Sequence, residues 1–358
     1  MNTAFRANLY RICAAVSLFA VATASAVAND NGRDVLVITS TNNASGNDIV
    51  VFRLDTGGAP SLSLLNMLPT GGSGGAGGNA GSVQFGDELG VVANYGSSNV
   101  TQLVRRGNAI AIGQTIALAT GCTHPVSVSL TRSHLYIAGA NCAESHRWPS
   151  GIADGAQIAL ANTSAAQIVA GQTWAAVTMK SGTVLQLPFA ARGALAGSSV
   201  PVTLPANAND TPLGAAFWGN LLGFNAAHSP NSFVLIDQAR NVFPVAGPQL
   251  AYPTNAPCWL TKGPGNVWYS GNSPGHAISI FFSDAQGGAF YKSIALPGTP
   301  TDVTVSGDGK WLAVIYTASD GSGARVAVYS IDPYGDLTLA ATSSPIGVSG
   351  FNGVAISQ

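Results

Sequence analysis

The side chains best suited to acid–base chemistry are concentrated in one stretch, NCAESHRW, at residues 141–148. It contains Glu144, His146 and Arg147, and His124 lies a short distance before it. A histidine can exchange a proton near neutral pH, a carboxylate can orient it, and a guanidinium can hold a substrate carboxylate. We therefore predict His146 or His124 as a catalytic base, Glu144 as its orienting group and Arg147 as the substrate anchor. The competing interpretation is that the stretch belongs to a solvated surface loop.

The three cysteines that follow the N-terminal region predict one disulfide. If residues 125–130 and 134–140 form a hairpin, Cys122 and Cys142 lie opposite each other, close enough to be bonded. Cys258 then remains as a buried, inert thiol. No pair of histidine, cysteine or acidic residues has the spacing of metal ligands, so the sequence predicts neither a metal nor another cofactor.

The composition favours an all-β protein with little charge. The sequence has 43 glycines, 9% charged residues and a formal net charge of -1. Glycine-rich turns between β-branched runs are typical of all-β folds, and no amphipathic helix is evident. The charge balance lacks the basic surface of a nucleic-acid binder and would not attract a strongly anionic substrate. We expect a small-molecule or protein ligand and no nucleic acid.

The first residues have the pattern of a secretory signal. Arg6 and Arg11 precede an apolar run at residues 12–21, which is followed by small residues that allow cleavage after Ala26 or Ala28. The apolar run is too short to span a bilayer. We predict a signal peptide at residues 1–28 and one domain at residues 29–358. The mature protein is expected to be monomeric, periplasmic or secreted, and without a membrane span.

One four-stranded unit recurs along the chain. Residues 300–341 predict four antiparallel strands, with the turn SGDG at 306–309 after the first. Similar first strands start near residues 80, 125, 212, 256, 300 and 351, a spacing of about 45 residues with one gap twice as long. Four-stranded repeats of this length are typical of β-propeller blades.

The two ends of the chain predict how the ring closes. Strands at residues 34–39, 48–54 and 61–66 lack a first strand, and residues 350–356 read as a first strand with nothing after it. Joining them completes a seventh blade and leaves no open sheet edge. We therefore predict a seven-bladed β-propeller.

The long gap between residues 125 and 212 must contain one further blade, and two assignments are open. In the first, its strands lie at residues 156–161, 174–179, 183–187 and 200–204, and residues 141–155 form a loop. In the second, Trp174 begins its first strand, and residues 155–170 complete the preceding blade. Both assignments give seven blades.

Three segments carry a family resemblance: NAGSVQF with ELGVVANYGSSNVTQLV, APCWLTKGPGNVWYSGNSPGHAISIF, and PTDVTVSGDGKWLAVIY with VAVYSIDPYGDLTL. They resemble blades of the lactonase-type seven-bladed propellers, which include 6-phosphogluconolactonase-like and carboxymuconate-cyclase-like proteins. The resemblance covers nearly all of the mature chain and implies the fold more strongly than the chemistry. Members are similar in carrying His-rich first strands, an Arg-His element and an Asn-Glu element. The matching segments TPLGAAFWGNLLGFNAAH and APCWLTKGPGNVWYSGN contain neither element, so no catalytic residue is transferred.

Two functions follow. The first is an exported lactonase-like enzyme that uses His146 or His124, Glu144 and Arg147 to open or close a lactone ring. The second is a non-catalytic propeller that binds a ligand or a protein in the cell envelope. Both would use the face that carries the loops leading into the first strands. The glycine-rich run TGGSGGAGGNAG at residues 70–81 is expected to be a flexible link between blades.

Overall fold

A computed structural model describes residues 33–161, 164–247, 256–273, 275–284, 287–347 and 350–358. These residues form seven four-stranded antiparallel sheets. The first strands of the sheets contact one another in a closed ring and line a central channel. The chain is a seven-bladed β-propeller. The predicted signal peptide lies outside the described residues, so the start of the domain remains a prediction.

Six blades each use four consecutive strands, numbered from the channel outwards. Blade II contains β4 (Val83–Phe85), β5 (Leu89–Asn94), β6 (Asn99–Arg106) and β7 (Ala109–Ala117). Blade III contains β8 (Pro125–Leu130), β9 (His134–Gly139), β10 (Cys142–Arg147) and β11 (Ile158–Ala159). Blade IV contains β12 (Ala165–Ala170), β13 (Trp174–Met179), β14 (Thr183–Pro188) and β15 (Val200–Val202), with a 3₁₀ turn at Ala191–Gly193.

The remaining consecutive blades follow the same order. Blade V contains β16 (Pro212–Trp218), β17 (Leu221–Ala226), β18 (Phe233–Ile236) and β19 (Val242–Val245). Blade VI contains β20 (Pro257–Lys262), β21 (Val267–Asn272), β22 (Ala277–Asp284) and β23 (Gly287–Ala295). Blade VII contains β24 (Gly298–Val305), β25 (Trp311–Ala318), β26 (Ala324–Ile331) and β27 (Leu337–Thr342). Within the described ranges, no helix has the length and hydropathy needed to cross a membrane.

Blade I closes the ring as predicted. Its outer strands are β1 (Val35–Ser40), β2 (Asn47–Asp55) and β3 (Ser61–Gly72), and its first strand is β28 (Asn352–Ser357). β28 pairs antiparallel with β1, along nearly its whole length. The prediction that the C-terminal strand completes the N-terminal sheet is therefore confirmed.

Burial follows the place of each strand in its blade. All residues of β1, β9 and β28 are buried, whereas β3 and β7 alternate between more and less exposed positions. Strands near the channel are covered on both faces by neighbouring blades, so apolar residues are favourable at every position. Between blades V and VI the Trp268 ring packs against Gly223, where a Cβ would lie 2.6 Å from ring carbon Cζ3. Blade packing there requires glycine.

The gap before residue 212 is filled differently from both predicted assignments. Residues 142–147 form the strand β10, where the sequence predicts a loop. Blade IV begins at β12, and neither residue 156 nor Trp174 starts it. The first assignment is confirmed for the second, third and fourth strands of blade IV, but its first strand and its loop are wrong, and the second assignment is wrong about where the blade starts. The strands CAESHR and AAQIVA were missed because they lack the alternating β-branched pattern used to find strands, although both segments are buried.

The two faces of the ring carry different connections. The linkers that lead into the first strands and the turns that join second to third strands lie on one face, which we call the linker face. The turns that join first to second strands lie on the opposite face, which we call the turn face. Sequence reasoning expects the functional site on the linker face.

Candidate functional site

The predicted acid–base cluster lies inside a blade. Glu144 and His146 belong to β10, the third strand of blade III counted from the channel. They lie opposite Ile137 and Leu135 of β9, and opposed residues share one face of a sheet. Ile137 and Leu135 pack in an apolar cluster with residues of blade II. The Glu144 and His146 side chains are therefore enclosed between blades II and III, away from the channel.

Glu144 and His146 form a pair whose hydrogen bonds are complete. His146 Nε2 lies 2.8 Å from Glu144 Oε1, and His146 Nδ1 lies 2.9 Å from the carbonyl oxygen of Gly151. The Ala119 N–H donates to both carboxylate oxygens at 3.1 Å. Both ring nitrogens face oxygen atoms that can accept a hydrogen bond, an arrangement that favours the cationic imidazole with a proton on each nitrogen. The side chains of His146 and Glu144 are 1% and 3% exposed, so neither is accessible to a substrate.

The surroundings of His146 stabilise this charged form. Burial by itself lowers the pKa of His146, but the hydrogen bond to Glu144, the Gly151 carbonyl and the Glu144 charge together raise it. Ala119 follows the last strand of blade II, and its N–H donates a further hydrogen bond to the Glu144 carboxylate. The arrangement fits a buried ion pair of blade III, joined to the end of blade II by the Ala119 N–H, better than a catalytic base.

Arg147 and His124 lie apart from this pair. Arg147 Nε donates to Asp154 Oδ2 at 2.9 Å, and its side chain is 63% exposed. His124 lies in the linker before β8, where its ring stacks on Tyr95 with centroids 4.7 Å apart. β10 begins at the linker face, and a strand rises roughly 3.3 Å per residue, so His146 lies about 13 Å along the strand from that face. The structure brings Glu144 and His146 together and leaves His124 and Arg147 elsewhere.

The predicted disulfide is present on the linker face of blade III. Cys122 and Cys142 are bonded, with their Cα atoms 5.5 Å apart. The two sulfurs and a carboxylate oxygen of Glu144 lie within 4.8 Å of one another. Thiolates bind metals, but sulfurs bonded to each other do not offer that ligand chemistry. Cys258 is buried, and burial raises its pKa to about 12, so it is an inert thiol.

The end of the glycine-rich run crosses the central channel. The Ala80 N–H donates to the Ala166 carbonyl of blade IV at 3.3 Å. The Gly81 carbonyl accepts from the Val128 N–H of blade III at 2.9 Å, and the Gly81 N–H donates to Asp302 Oδ2 of blade VII at 3.1 Å. Residues 79–81 are all buried, and we call them the plug. The expectation of a flexible link is wrong for this part of the run.

The rest of the channel forms a pocket of about 490 Å³. All seven first strands contribute to its wall, and the exposed turn residues Gly86 and Asp87 lie at its opening, so it opens on the turn face. Phe85 and Phe217 are among the apolar side chains of the wall. Among the described residues that line it, Asp87 and Asp302 are the only charged ones, and none is a histidine, lysine or arginine.

Asp302 lies where the plug meets the pocket. It is 4% exposed, Oδ2 accepts from the Gly81 N–H, and Oδ1 accepts from the Val303 N–H at 2.9 Å. Burial raises the pKa of Asp302 to about 7, although backbone donors from Gly81, Val303 and Val354 favour the charged form. Asp302 can therefore bind a cation or exchange a proton near neutral pH.

Sequence reasoning missed this site because it gave the regular blade VII little functional weight. A signal was present: among the described first strands, Asp302 is the only carboxylate-bearing residue. A carboxylate on a strand that faces the channel is costly to bury unless it has a binding partner or a structural one.

Comparisons with known proteins bear on the fold. No family model and no curated protein matches the chain. A protein of known structure from Lactobacillus plantarum is similar with a TM-score of 0.67 and 15% identity, covering 91% of this chain and 100% of that one. A chain of the Mitotic Checkpoint Complex is similar with a TM-score of 0.59 and 14% identity, covering 78% of this chain and 82% of that one. These likenesses support a propeller and leave the activity open.

A further solved structure bears the name expected from the sequence resemblance. It is a protein from Bacteroides uniformis, provisionally named a 6-phosphogluconolactonase, with 15% identity and a TM-score of 0.45 over 88% of this chain and 84% of that one. At this TM-score the likeness carries no argument about activity. The propeller family is supported, and the lactonase-type assignment is not confirmed.

Proposed function

We propose that the protein is an exported propeller that binds a small molecule in its central pocket without transforming it. The observation that carries the proposal is the pocket of about 490 Å³, closed by the plug and lined by all seven first strands. Its volume is typical of small-ligand sites. Acid–base catalysis needs donor and acceptor groups within hydrogen-bond reach of the substrate, and no histidine or lysine among the described lining residues accompanies Asp302.

The rival function is the hydrolysis or formation of a lactone, which the sequence resemblance implies. The geometry supports it less, because Glu144 and His146 are enclosed between blades and Arg147 is paired with Asp154. A lactone that carries or releases a carboxylate also needs a cation, whereas the charged side chains described around the pocket are both carboxylates.

Export is part of the proposal. The Cys122–Cys142 disulfide supports it, because disulfides persist mainly in oxidising compartments. The leader pattern at residues 1–28 agrees. Fractionating cells that express the full chain and sequencing the N-terminus of the recovered protein tests this part. Cytoplasmic protein with an intact N-terminus would contradict it.

A binding screen with two matched variants tests the ligand site. Ala170→Phe introduces a ring into the pocket wall, and Ala109→Phe places the same ring on the exposed outer strand of blade II. Calorimetry and thermal shift are measured with a library of small polar molecules. We expect at least one compound to bind the wild type and Ala109→Phe but not Ala170→Phe.

The same protein is assayed with sugar-acid, aromatic-acid and acyl-homoserine lactones. We expect no turnover. Lactone turnover that Ala170→Phe abolishes would overturn the proposal in favour of the rival function. A library in which no compound binds the wild type would also contradict it.

A further inference from the structure

We infer that the ligand of the central pocket is a small organic ammonium ion, held by the Asp302 carboxylate with its apolar part against the pocket wall. This inference rests on the proposed function and specifies the class of molecule that the pocket binds. It is carried by the charges, the walls and the fixed orientation of Asp302.

The charges of the pocket favour a cation. Asp302 lies at the closed end and Asp87 at the opening, and no lysine or arginine occurs among the described lining residues. Lys262 ends the first strand of blade VI near the opening, but its ammonium donates to the carbonyls of Gly263 at 2.7 Å and Gly265 at 2.6 Å. These carbonyls bind the Lys262 ammonium, and Lys262 is not among the residues that line the pocket. A ligand cation would therefore supply the countercharge for Asp302.

The walls suit an ammonium ion that has an apolar part. Phe85 and Phe217 lie in the wall together with aliphatic side chains, including Leu130, Leu260 and Ile356. Burying a hydrocarbon group against such side chains is favourable. The wall also carries polar side chains, among them Gln84, Ser129 and Thr304. The buried carboxylate and the apolar part of this mixed wall together point to an organic cation.

Asp302 is oriented before any ligand binds. The N–H groups of Gly81 and Val303 each donate to one of its oxygens, and Val354 supplies a further backbone donor. A carboxylate has about four lone-pair positions, so it can still accept from a ligand N–H. Because these donors belong to the plug and to two first strands, little ordering remains to be done on binding. Burial raises the pKa of Asp302 to about 7, and a bound cation would favour its charged form.

Calorimetric titration at pH 8 with sets of three related molecules tests the inference. Each set shares one apolar group and differs in its polar group. Phenethylammonium, 2-phenylethanol and 3-phenylpropionate form one set, and butylammonium, 1-butanol and pentanoate another. We expect an ammonium compound in at least one set to bind about tenfold or more tightly than its alcohol, because it adds a charged hydrogen bond. We expect no binding of the carboxylates.

Two variants locate the effect. Asp302→Asn should lower the affinity for the ammonium compound about tenfold or more and leave that for the alcohol unchanged. Asp55→Asn, at an exposed carboxylate outside the pocket, should leave both affinities unchanged. If Asp302→Asn does not fold, the ammonium-to-alcohol comparison on the wild type and on Ala170→Phe decides the question.

Equal affinities for ammonium and alcohol in every set, or ammonium binding that survives Asp302→Asn, would overturn the inference. A neutral or anionic compound from the library that binds the wild type and is lost in Ala170→Phe would leave the proposed function intact while this inference fails. If no molecule of any charge binds, the proposed function fails as well.

Discussion

At the scale of residues, the protein buries its ionisable groups in two ways. His146 and Glu144 neutralise each other between two blades, where a single charge would be costly. Asp302 has backbone donors around it and a cavity beside it. Hence the hydrogen bonds and charges of the His146–Glu144 pair are satisfied without a ligand, whereas the Asp302 carboxylate can still accept a hydrogen bond from a cation.

Removing His146 should destabilise the fold. His146→Ala leaves Glu144 as a buried carboxylate without its cationic partner, and we expect a loss of about 3–5 kcal/mol in the free energy of unfolding. The folded state raises the pKa of His146 above its unfolded value. The stabilisation is therefore fully present below about pH 6.5 and is lost as the pH rises through the folded pKa. Denaturant unfolding of the wild type and the variant at pH 5.5, 7 and 9 measures both effects.

Arg147→Ala is the matched control for this prediction. It removes an ion pair with Asp154 in which the Arg147 side chain is 63% exposed and screened by solvent, so we expect little or no change in the free energy of unfolding. A His146→Ala protein as stable as the wild type, but defective towards an identified substrate, would return His146 to the catalytic candidates.

Single residues were predictable where strand register determines their neighbours. The Cys122–Cys142 pairing followed from the symmetry of one hairpin and is confirmed. The position of His146 was not predictable in this way, because it depends on whether a polar stretch forms a loop or a buried strand. The buried strand is possible because Glu144 and Gly151 accept hydrogen bonds from the His146 ring and Ala119 donates to Glu144.

At the scale of elements, alternating hydrophobic patterns predicted most strands other than β10 and β12, and they did not predict the buried end of the glycine-rich run. Ala80 and Gly81 at its end bind through their backbone groups, which leave no pattern in a sequence. One of its partners, Asp302, lies 221 residues away from Gly81 along the chain. A glycine run reads as flexible in isolation, but seven surrounding strands can hold it by main-chain hydrogen bonds.

Alanine substitutions within the glycine-rich run test the plug. Gly81 has φ of 66°, and a Cβ there would lie 3.0 Å from Gln167 Nε2 and 3.2 Å from Ser127 Oγ. We expect Gly81→Ala to cost at least about 1–2 kcal/mol, because an L-residue is strained at this φ and the site is crowded. Thermal and denaturant unfolding measure the loss.

Gly77→Ala is the matched control from the same run. A Cβ at Gly77 would meet no atom within 4 Å, so we expect a change of no more than about 0.5 kcal/mol. If both variants unfold at the same temperature and denaturant concentration, residues 79–81 are not held in the channel as described.

At the scale of the whole molecule, the stability of each blade depends on the closed ring. Each blade buries its two faces against its neighbours, as repeat architectures require. The sequence predicts seven blades and the closure of the ring because the three N-terminal strands lack the first strand of a blade, and the C-terminal strand is a first strand without the other three. It did not predict which face of the channel opens, because that depends on the plug.

Removing β28 should prevent the ring from closing. A chain that ends at residue 349 leaves β1 with an unpaired edge and uncovers apolar residues such as Leu36 and Ile38. We expect it to aggregate and to lack a single cooperative unfolding transition. Size-exclusion chromatography and circular dichroism during heating test this. A chain that begins at residue 33 keeps every described strand and should unfold cooperatively, and equal behaviour of the two chains would contradict the prediction.

The pairing of β28 with β1 also determines when folding can finish. β1 is among the first described residues to be synthesised, and β28 is among the last. Blades II to VII can assemble in the order of synthesis, but the ring stays open until the final strand is released. If the chain is exported as proposed, β28 would cross the membrane after β1 to β27. The complete pocket would then form only after β28 has been translocated.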